Sequence, residues 1–560
     1  MSRFDGTIEI SMKFSVMSKV CFLLAGIFFT GMWYFGMPTL NTTFAAVWFL
    51  IAITAFIAGI PGIFAAFEGY QMEKKHRYLL ITAVSIVLGV ISVSFILSAP
   101  MFHDNAYRDL LGKVEVSEFS QDISELKDNQ ARIVKQKMAT ILGLKQLGKD
   151  AGLGSRATLG TFHIQQVNGK LYWVAPLMHS TFFRWLNFKE EGTSGYVKVS
   201  ATNPDDVTLV QELGGKKLHI KYQLDAYFNQ DLERHLYFSG YMSSGLTDFT
   251  FEIDDAGKPY WVVTLYEKTV GFAGEDAKAV LVVDPETGSI TKYSIADAPE
   301  WIDRIQPESF IRDQIDDWGE YVLGWWNSLF AKQDVLKVSN KELRLIYGDD
   351  GKSYWYSGIT SSGNDKSNVG FLLVNTRTKE VKRYNVSGAT EDSAESSAEG
   401  LVQQYKYDAS NFILYNVGGI PTYIGPLTDA EGLVKGVAAV NMESYAIAGW
   451  GANVNDAIRS YRQALFSRGK SSNVAATSHE EAKGIVSRIA SDIKNGNTSY
   501  YIVLENKEGF IFTADSNLSV EVPLTKIGDS VKIKYSLSGS AIVVAEDFDN
   551  LNVSLKSFQK

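Results

Sequence analysis

The chain has 560 residues, the length of three or four ordinary domains, and 46% of them are hydrophobic. This composition excludes a chain that is disordered or fibrous as a whole. Residues 1–103 hold six basic and four acidic side chains, so the net charge of −9 divides into +2 there and −11 in residues 104–560. An acidic body argues against general binding to a nucleic-acid backbone. A single cysteine, Cys21, excludes a disulfide framework, a cysteine zinc site and a cysteine nucleophile in that body.

Three apolar runs, at residues 20–36, 44–67 and 78–97, predict three transmembrane helices. A helix of about 20 residues crosses the hydrocarbon core of a bilayer, and the first run is the shortest of the three. The alternative is a signal peptide followed by a buried helical hairpin. No small-x-small cleavage pattern follows the first run, so the sequence favours three membrane helices.

The charges that flank these runs predict their orientation. Three basic residues precede the first run, residues 37–43 carry no charge, and residues 68–77 hold three more basic residues. Basic loops remain in the cytoplasm. We therefore expect a multi-pass protein of the bacterial cytoplasmic (inner) membrane, in contact with membrane lipid, with a cytoplasmic N-terminus and a large extracytoplasmic C-terminal region.

Beyond the membrane region, a glycine followed by a short aromatic strand recurs. The copies are Gly169-Lys-Leu-Tyr-Trp173, Gly257-Lys-Pro-Tyr-Trp261, Gly351-Lys-Ser-Tyr-Trp355 and the weaker Gly419-Ile-Pro-Thr-Tyr423. The first three copies begin 88 and 94 residues apart. Alternating apolar residues and Gly, Asn and Asp turns predict antiparallel hairpins in each copy.

The turn Val282-Val-Asp-Pro-Glu-Thr-Gly288, after a Tyr-Trp-Val strand, resembles the strand pattern of PepSY-type domains. The resemblance implies small α+β modules of exported and membrane proteins, some of them attached to proteases. A wider resemblance rests on Tyr354-Trp355, Ser367-Asn-Val-Gly-Phe371 and Ser396-Ser-Ala-Glu-Gly400. These motifs are similar to those of large uncharacterised membrane proteins of bacteria and their phages, labelled CvpA-like or cell-shape proteins.

Residues 307–330 carry apolar side chains at helical spacing and predict a long helix. Trp318, Trp325 and Trp326 on it are the candidate interface residues, because tryptophan is favoured in binding hot spots and at membrane interfaces. The competing interpretation is an ordinary helix packed on a repeat sheet. The sequence favours packing, since the acidic neighbours disfavour an anionic membrane surface. Another helix is predicted from a cap at Asp128 to about Leu142.

The C-terminal region predicts a small barrel of five strands that resembles the OB fold. Its strands are predicted at residues 484–493, 500–505, 509–513, 530–536 and 540–545. OB barrels often bind nucleic acid through aromatic platforms and basic grooves. An exported location favours a structural or protein-contact barrel instead, so no nucleic-acid partner is expected.

These elements together predict an α+β, β-rich fold: a three-helix transmembrane region, tandem PepSY-like units and an OB-like barrel. The predicted domains are 1–103 (transmembrane), 104–215, 216–306, 307–400 and 401–466 (four units), 467–480 (linker) and 481–560 (barrel).

No motif for catalysis or cofactor binding is complete. Gly469-Lys-Ser471 has Ala464 where a phosphate-binding loop requires glycine, and His479-Glu-Glu-Ala-Lys483 lacks the second histidine of a zinc-protease helix. We therefore predict no catalytic, cofactor-binding or metal-binding residues and no enzymatic activity.

By elimination, we expect a membrane-anchored extracytoplasmic scaffold or binding protein that self-assembles into a homo-oligomer at the cell envelope. The alternative, implied by the PepSY resemblance, is a regulator or inhibitor of an exported protease or another envelope enzyme. A third possibility, a hydrolase with an unrecognised site, would require a deep polar pocket with perturbed carboxylates or histidines.

Overall fold

The computed structural model describes residues 2–69, 71–119, 126, 131–149, 151–154, 156–339, 342–348, 350–361, 367–467, 479–494, 497–516, 518–536 and 542–553. The chain divides into two compact units, Met1–Asp122 with Arg132–Thr390 and Ile123–Ala131 with Glu391–Lys560. The fold is mixed α+β, with three long apolar helices followed by many β-sheets, as predicted.

The helices in chain order are α1 (Ser2–Gly36), α2 (Ala45–Phe67), α3 (Lys74–Ser98), α4 (Pro100–Asp109), α5 (Gln136–Leu147), α6 (Ala151–Gly154), α7 (Phe182–Phe188), α8 (Leu232–Leu236), α9 (Glu308–Glu320), α10 (Glu391–Leu401) and α11 (Val454–Ser467). Single turns of π-helix follow α8 at Tyr237–Tyr241 and α9 at Asn327–Ala331.

The strands of the first unit are β1 (Val114–Ser117), β2 (Ala157–Leu159), β3 (His163–Val167), β4 (Lys170–His179), β5 (Tyr196–Ser200), β6 (Val207–Val210), β7 (Glu212–Leu213), β8 (Lys216–Lys217), β9 (Gly245–Ile253), β10 (Pro259–Val270), β11 (Ala273–Val283), β12 (Ile290–Ser294), β13 (Leu336–Val338), β14 (Arg344–Tyr347), β15 (Ser353–Ser361), β16 (Ser367–Asn368), β17 (Gly370–Asn375), β18 (Val381–Tyr384) and β19 (Gly388–Ala389). Those of the second unit are β20 (Asp408–Ala409), β21 (Ile413–Val417), β22 (Ile420–Thr428), β23 (Val434–Asn441), β24 (Ala448–Gly451), β25 (His479–Lys494), β26 (Asn497–Leu504), β27 (Ile511–Asp515), β28 (Ser530–Ser536) and β29 (Ile542–Asn550).

Helices α1, α2 and α3 are long and apolar enough to cross a membrane, over Ser15–Gly36, Ala45–Phe67 and Lys74–Ser98. Helix α3 begins inside the segment predicted as a loop. That first turn contains His76, whose buried ring lies 3.2 Å from the Ser18 hydroxyl of α1 and 3.1 Å from the Ala58 carbonyl oxygen of α2. This imidazole therefore joins all three helices.

Four antiparallel meanders form the sheets that follow. They are β3-β4-β5-β6, β9-β10-β11-β12, β14-β15-β17-β18 and β21-β22-β23-β24. Each recurring sequence pattern forms the turn before the second strand and the strand itself. Its glycine (Gly169, Gly257, Gly351 or Gly419) has a positive φ of 72–84°, a conformation that residues with a Cβ rarely adopt.

A tryptophan on the second strand fixes the start of each of the first three repeats. The indole N–H groups of Trp173, Trp261 and Trp355 each donate to a backbone carbonyl 2.8 Å away, and the indole rings are buried. The accepting residues are Val134, Tyr222 and Gln306, which precede α5, α8 and α9. In the fourth repeat the buried Tyr423 occupies the equivalent strand position.

The same three segments are held by a second recurring contact. In each of these three repeats, the residue whose carbonyl accepts the indole N–H and the residue just before it both donate their backbone N–H groups to one carbonyl. That carbonyl lies just after the third strand. The accepting residues are Ala201, Pro285 and Thr376, at 2.7–3.1 Å. The three repeats therefore share their polar scaffold as well as their strand order.

The limits of two predicted helices are corrected by the structure. The helix expected over 128–142 begins at Gln136, because the N–H groups of Ile133 and Val134 are bonded to Ala201; residues 127–130 lie outside the described residues. The helix expected over 307–330 ends at Glu320, and Gly324 then reverses the chain with φ +85°. Strand β1 lies within the predicted unit 104–215, and it pairs in parallel with β18 of the third sheet.

The second unit holds the fourth meander and a closed barrel. Helix α11 packs so closely on β24 that a Cβ at Gly449 would collide with the backbone nitrogen of Tyr461. The barrel order is β25-β26-β27-β29-β28, and β27 and β29 are parallel. Its strands overlap all five predicted strands, whereas residues 468–478 of the predicted linker lie outside the described residues.

Candidate functional site

The body of the first unit is bonded to the loop between α1 and α2. The Leu40 N–H donates to the Met242 carbonyl at 2.7 Å, and the Tyr237 hydroxyl donates to the Pro38 carbonyl at 2.8 Å. Arg234 donates to the Tyr34 carbonyl at 3.2 Å, with its guanidinium 5.0 Å from the centre of the Tyr34 ring. The turn after α8 therefore docks on the end of α1.

The second sheet docks on the end of α3. The Phe272 N–H donates to the Ser98 hydroxyl at 2.7 Å, and a Cβ at Gly271 would lie 2.6 Å from the Leu97 carbonyl oxygen. The ring of Tyr266 packs 5.8 Å from that of Phe44, just before α2. One end of the β10–β11 hairpin thus meets the end of the bundle where α1 and α3 finish and α2 begins.

The three candidate tryptophans separate into different environments. Trp325 follows the turn at Gly324, and its backbone N–H donates to the Asp104 carboxylate of α4 at 2.9 Å. Trp326 lies beside it, at 4.7 Å between ring centres, and is 63% exposed. Trp318 lies elsewhere, with the Arg383 guanidinium 5.8 Å from its ring centre. The structure therefore brings together Trp325 and Trp326 and leaves Trp318 packed on the third sheet.

The two adjacent tryptophans also have different roles. The half-buried Trp325 joins a small core with Tyr107, Val270 and Tyr321. Trp326 stacks instead on Phe330, which is 75% exposed, at 5.7 Å. Packing in this small core accounts for Trp325, whereas Trp326 and Phe330 remain largely exposed among the described residues.

A second exposed aromatic group was missed by the sequence analysis. Helix α7 begins after Thr181, whose hydroxyl accepts the Arg184 N–H, and it buries Trp185 while leaving Phe183 73% exposed. The signal was the run Phe182-Phe-Arg-Trp-Leu-Asn-Phe188, which is apolar on most of its circumference. A helix of this composition on a protein surface indicates a partner or membrane contact.

Buried ionisable groups meet where the first three sheets converge. The Asp303 carboxylate accepts the Gln166 N–H of β3 at 2.5 Å and the Tyr347 hydroxyl of β14 at 3.0 Å. The Gln165 amide exchanges two 2.8 Å hydrogen bonds with the backbone of Ile253 in β9. Glu252, also in β9, is 1% exposed and accepts the Thr250 hydroxyl with one oxygen.

Burial shifts the pKa values of these groups. It raises the pKa of Glu252 to about 7 and that of Asp303 to about 6, while nearby Arg304 opposes both shifts. Burial, assisted by Arg304, lowers the pKa of His163 to about 3. The Glu252 Oε2 atom and the Arg304 Nε and Nη2 atoms have no hydrogen-bond partner among the described residues. The cluster can therefore hold a proton near neutral pH, and its contacts join three sheets.

A separate cavity of about 500 Å³ opens beside the first sheet. Polar side chains that include Arg156, His179, Glu191, Lys217 and His219 line it, and none of the buried cluster does. Burial lowers the pKa of His179. The pocket thus contains one histidine with a perturbed pKa, whereas the perturbed carboxylates Glu252 and Asp303 do not line it. Among the described residues, no three His, Cys, Asp or Glu side chains are grouped to hold a metal ion.

Comparisons with known proteins do not assign the chain to a family. No protein-family model matches the chain, and no curated protein matches it. A solved structure of a complex named for BT0996 and RGII aligns with 72% of this chain and 92% of its own at 9% sequence identity, with a TM-score of 0.14. A TM-score this low does not indicate a shared fold, so nothing about this chain follows from it.

The buried carboxyl of Glu252 should make stability pH-dependent. Its folded pKa is above the unfolded value near 4.5, so the folded state binds more protons between pH 4.5 and 7 and loses stability as pH rises. Glu252→Gln removes this loss. The stability of the variant relative to the parent should therefore rise across that window, by up to about 3 kcal/mol. Chemical unfolding of the full chain in detergent between pH 4 and 8 measures the difference.

The exposed Glu286 supplies the control, because Glu286→Gln removes one negative charge without altering the cluster. A difference between Glu252→Gln and the parent that stays constant with pH would contradict the assignment.

The two adjacent tryptophans should respond differently to the same change. Trp325→Asp places a carboxylate beside Asp104 in a half-buried core, so it should destabilise the first unit by about 2 kcal/mol or more. Trp326→Asp changes an exposed side chain and should lower the unfolding temperature much less. Thermal unfolding of both variants in detergent tests this, and equal losses would refute the separation of roles.

Proposed function

We propose that the chain is a membrane-anchored extracytoplasmic scaffold or binding protein that assembles into a homo-oligomer at the bacterial inner membrane. The observation that carries the proposal is the outward surface of α1 and α3. Large apolar side chains such as Leu24, Ile27, Leu88 and Ile91 are exposed there, and a bilayer would remove them from water. An enzymatic activity is not part of this proposal.

The charge distribution supports a cytoplasmic N-terminus. The basic residues Lys74 and Lys75 lie at the end of the bundle where α2 finishes, whereas the body is bonded to the opposite end through Pro38, Leu40 and Ser98. Because basic loops remain in the cytoplasm, that arrangement supports an extracytoplasmic position for the first unit's sheets.

The repeated meanders support a binding role. Among the described residues, strands β6 and β12 lie at edges of their sheets, and the backbone of an edge strand can pair with an added strand. A body tethered to one membrane face also meets neighbouring copies at a high effective concentration. These two properties suit self-assembly into a homo-oligomer or capture of an envelope protein, with no nucleic acid involved.

The proposal also includes PepSY-like modules in the repeats and an OB-like fold in the C-terminal barrel. The repeated helix-plus-meander unit, with its tryptophan anchored beside the helix, supports PepSY-like modules. It also suits the resemblance to CvpA-like or cell-shape proteins. The Greek-key order of the five-stranded barrel supports an OB-like domain. If the modules act as PepSY domains do, the chain regulates or inhibits an exported protease or another envelope enzyme, which is the second candidate function.

The orientation can be tested by thiol labelling of intact cells. In a Cys21→Ala background, Ala256→Cys places one thiol in the exposed β9–β10 turn. A membrane-impermeant maleimide should label it without lysis. Lys75→Cys is the matched control and should react only after permeabilisation. The reverse pattern would invert the topology.

The assembly can be tested by particle imaging of the full chain extracted in mild detergent. A scaffold predicts rings or clusters whose mass is a multiple of 62.1 kDa, with the bodies on one side of the membrane region. A stoichiometric protease in the same particles would favour the second candidate function. Monodisperse single chains without a partner would refute self-assembly.

A further inference from the structure

Two groups of exposed apolar side chains flank the place where the body meets the helix bundle. The tryptophan patch consists of Phe102, Leu323, Trp326, Leu329 and Phe330. The phenylalanine patch consists of Phe183, Leu186, Phe228 and Phe238. A protein that faces only water rarely exposes two such groups.

The tryptophan patch lies at the level of the end of α3. Phe102 comes four residues after that helix finishes at Ser98, and its ring packs edge-on against Phe95 of α3 at 6.1 Å. The Asp104 carboxylate then binds the Trp325 N–H, next to Trp326. The patch is thus continuous with the apolar surface of α3.

The phenylalanine patch lies at the level of the end of α1. The Phe238 ring packs 5.4 Å from that of Trp33 in α1. Arg234 joins the two elements, since it donates to the carbonyls of both Tyr34 and Phe228. The buried Trp185 of α7 contacts the Phe228 ring at 5.8 Å, and it carries Phe183 and Leu186 on the same short helix.

The second sheet fixes which part of the body is far from the bundle. Strand β10 runs from Pro259 to Val270, and its Val270 end meets α3 at Gly271. Twelve residues of strand span about 40 Å. The turn that contains Ala256, at the other end of β10, is therefore remote from both patches.

We infer that both patches enter the interfacial layer of the phospholipid bilayer, one on each side of the helix bundle, and hold the body against the outer leaflet. The inference rests on the proposed membrane placement. Aromatic side chains are favoured at this depth, where their rings leave water among the headgroups. The named patch residues carry no charge, so zwitterionic phosphatidylcholine suffices as the partner.

Collision measurements with single nitroxide labels test the inference. The full chain with Cys21→Ala is reconstituted in phosphatidylcholine nanodiscs, and Leu329→Cys or Leu186→Cys reports each patch. Leu88→Cys, on the exposed surface of α3, is the lipid reference, and Ala256→Cys is the water reference. Labels on both patches should collide with oxygen more often, and with a water-soluble nickel chelate several-fold less often, than the Ala256 label.

Each other outcome has a defined meaning. The inference is overturned if the labels at Leu329 and Leu186 collide with the nickel chelate as often as the Ala256 label does. If the Leu88 label is still shielded in that experiment, the membrane placement remains intact. Shielding of the patch labels from both reagents indicates contact with protein, such as a second copy, and also overturns it. Nickel access at Leu88 refutes the membrane placement itself.

A double variant tests the two stacked rings. Trp326→Ser with Phe330→Ser should raise nickel collision at Leu329 several-fold and leave Leu88 unchanged. Val369→Ser, which removes an exposed apolar side chain elsewhere in the first unit, is the matched control and should alter neither label. No change at Leu329 in the double variant would overturn the role of these rings.

Discussion

The indole N–H that each repeat tryptophan donates to a backbone carbonyl is the interaction on which the body is organised. It lets a large apolar ring enter the core without leaving its single donor unpaired. It also fixes the chain entering the next helix against the second strand. Because that segment is bonded as well to the carbonyl after the third strand, helix, second strand and third strand are locked by contacts that span the whole repeat.

The sequence predicted features that depend on local chemistry. The three apolar helices follow from length and hydropathy, and the hairpins follow from a glycine that must adopt positive φ before an aromatic strand. All five barrel strands were expected near their observed positions. Helix limits were less accurate, because Gln136 and Glu320 begin or end helices through backbone bonds and a reversal at Gly324 that apolar periodicity does not encode.

The candidate site could be predicted only in part. Trp325 and Trp326 are adjacent in the sequence, yet one is packed and one is exposed. The Trp325 ring packs against Tyr107 and Val270, which lie far away in the chain. The phenylalanine patch combines α7 with segments near Phe228 and Phe238, so no window of sequence contains it. The buried cluster around Asp303 likewise draws Gln166, Glu252 and Tyr347 from three different sheets. Such long-range groupings are properties of topology.

One feature of that topology bears on how the molecule is made. Strand β1 follows the three long apolar helices and α4, but its parallel partner β18 is synthesised only after the first two meanders. Strand β1 is therefore synthesised before its pairing partner, and the third sheet cannot be completed until most of the first unit has been translated. Non-local pairing of this kind is slow, and the backbone groups of β1 remain unpaired until β18 is available. A nascent chain would depend most on a holding chaperone after β1 has been synthesised and before β18 is available to pair with it.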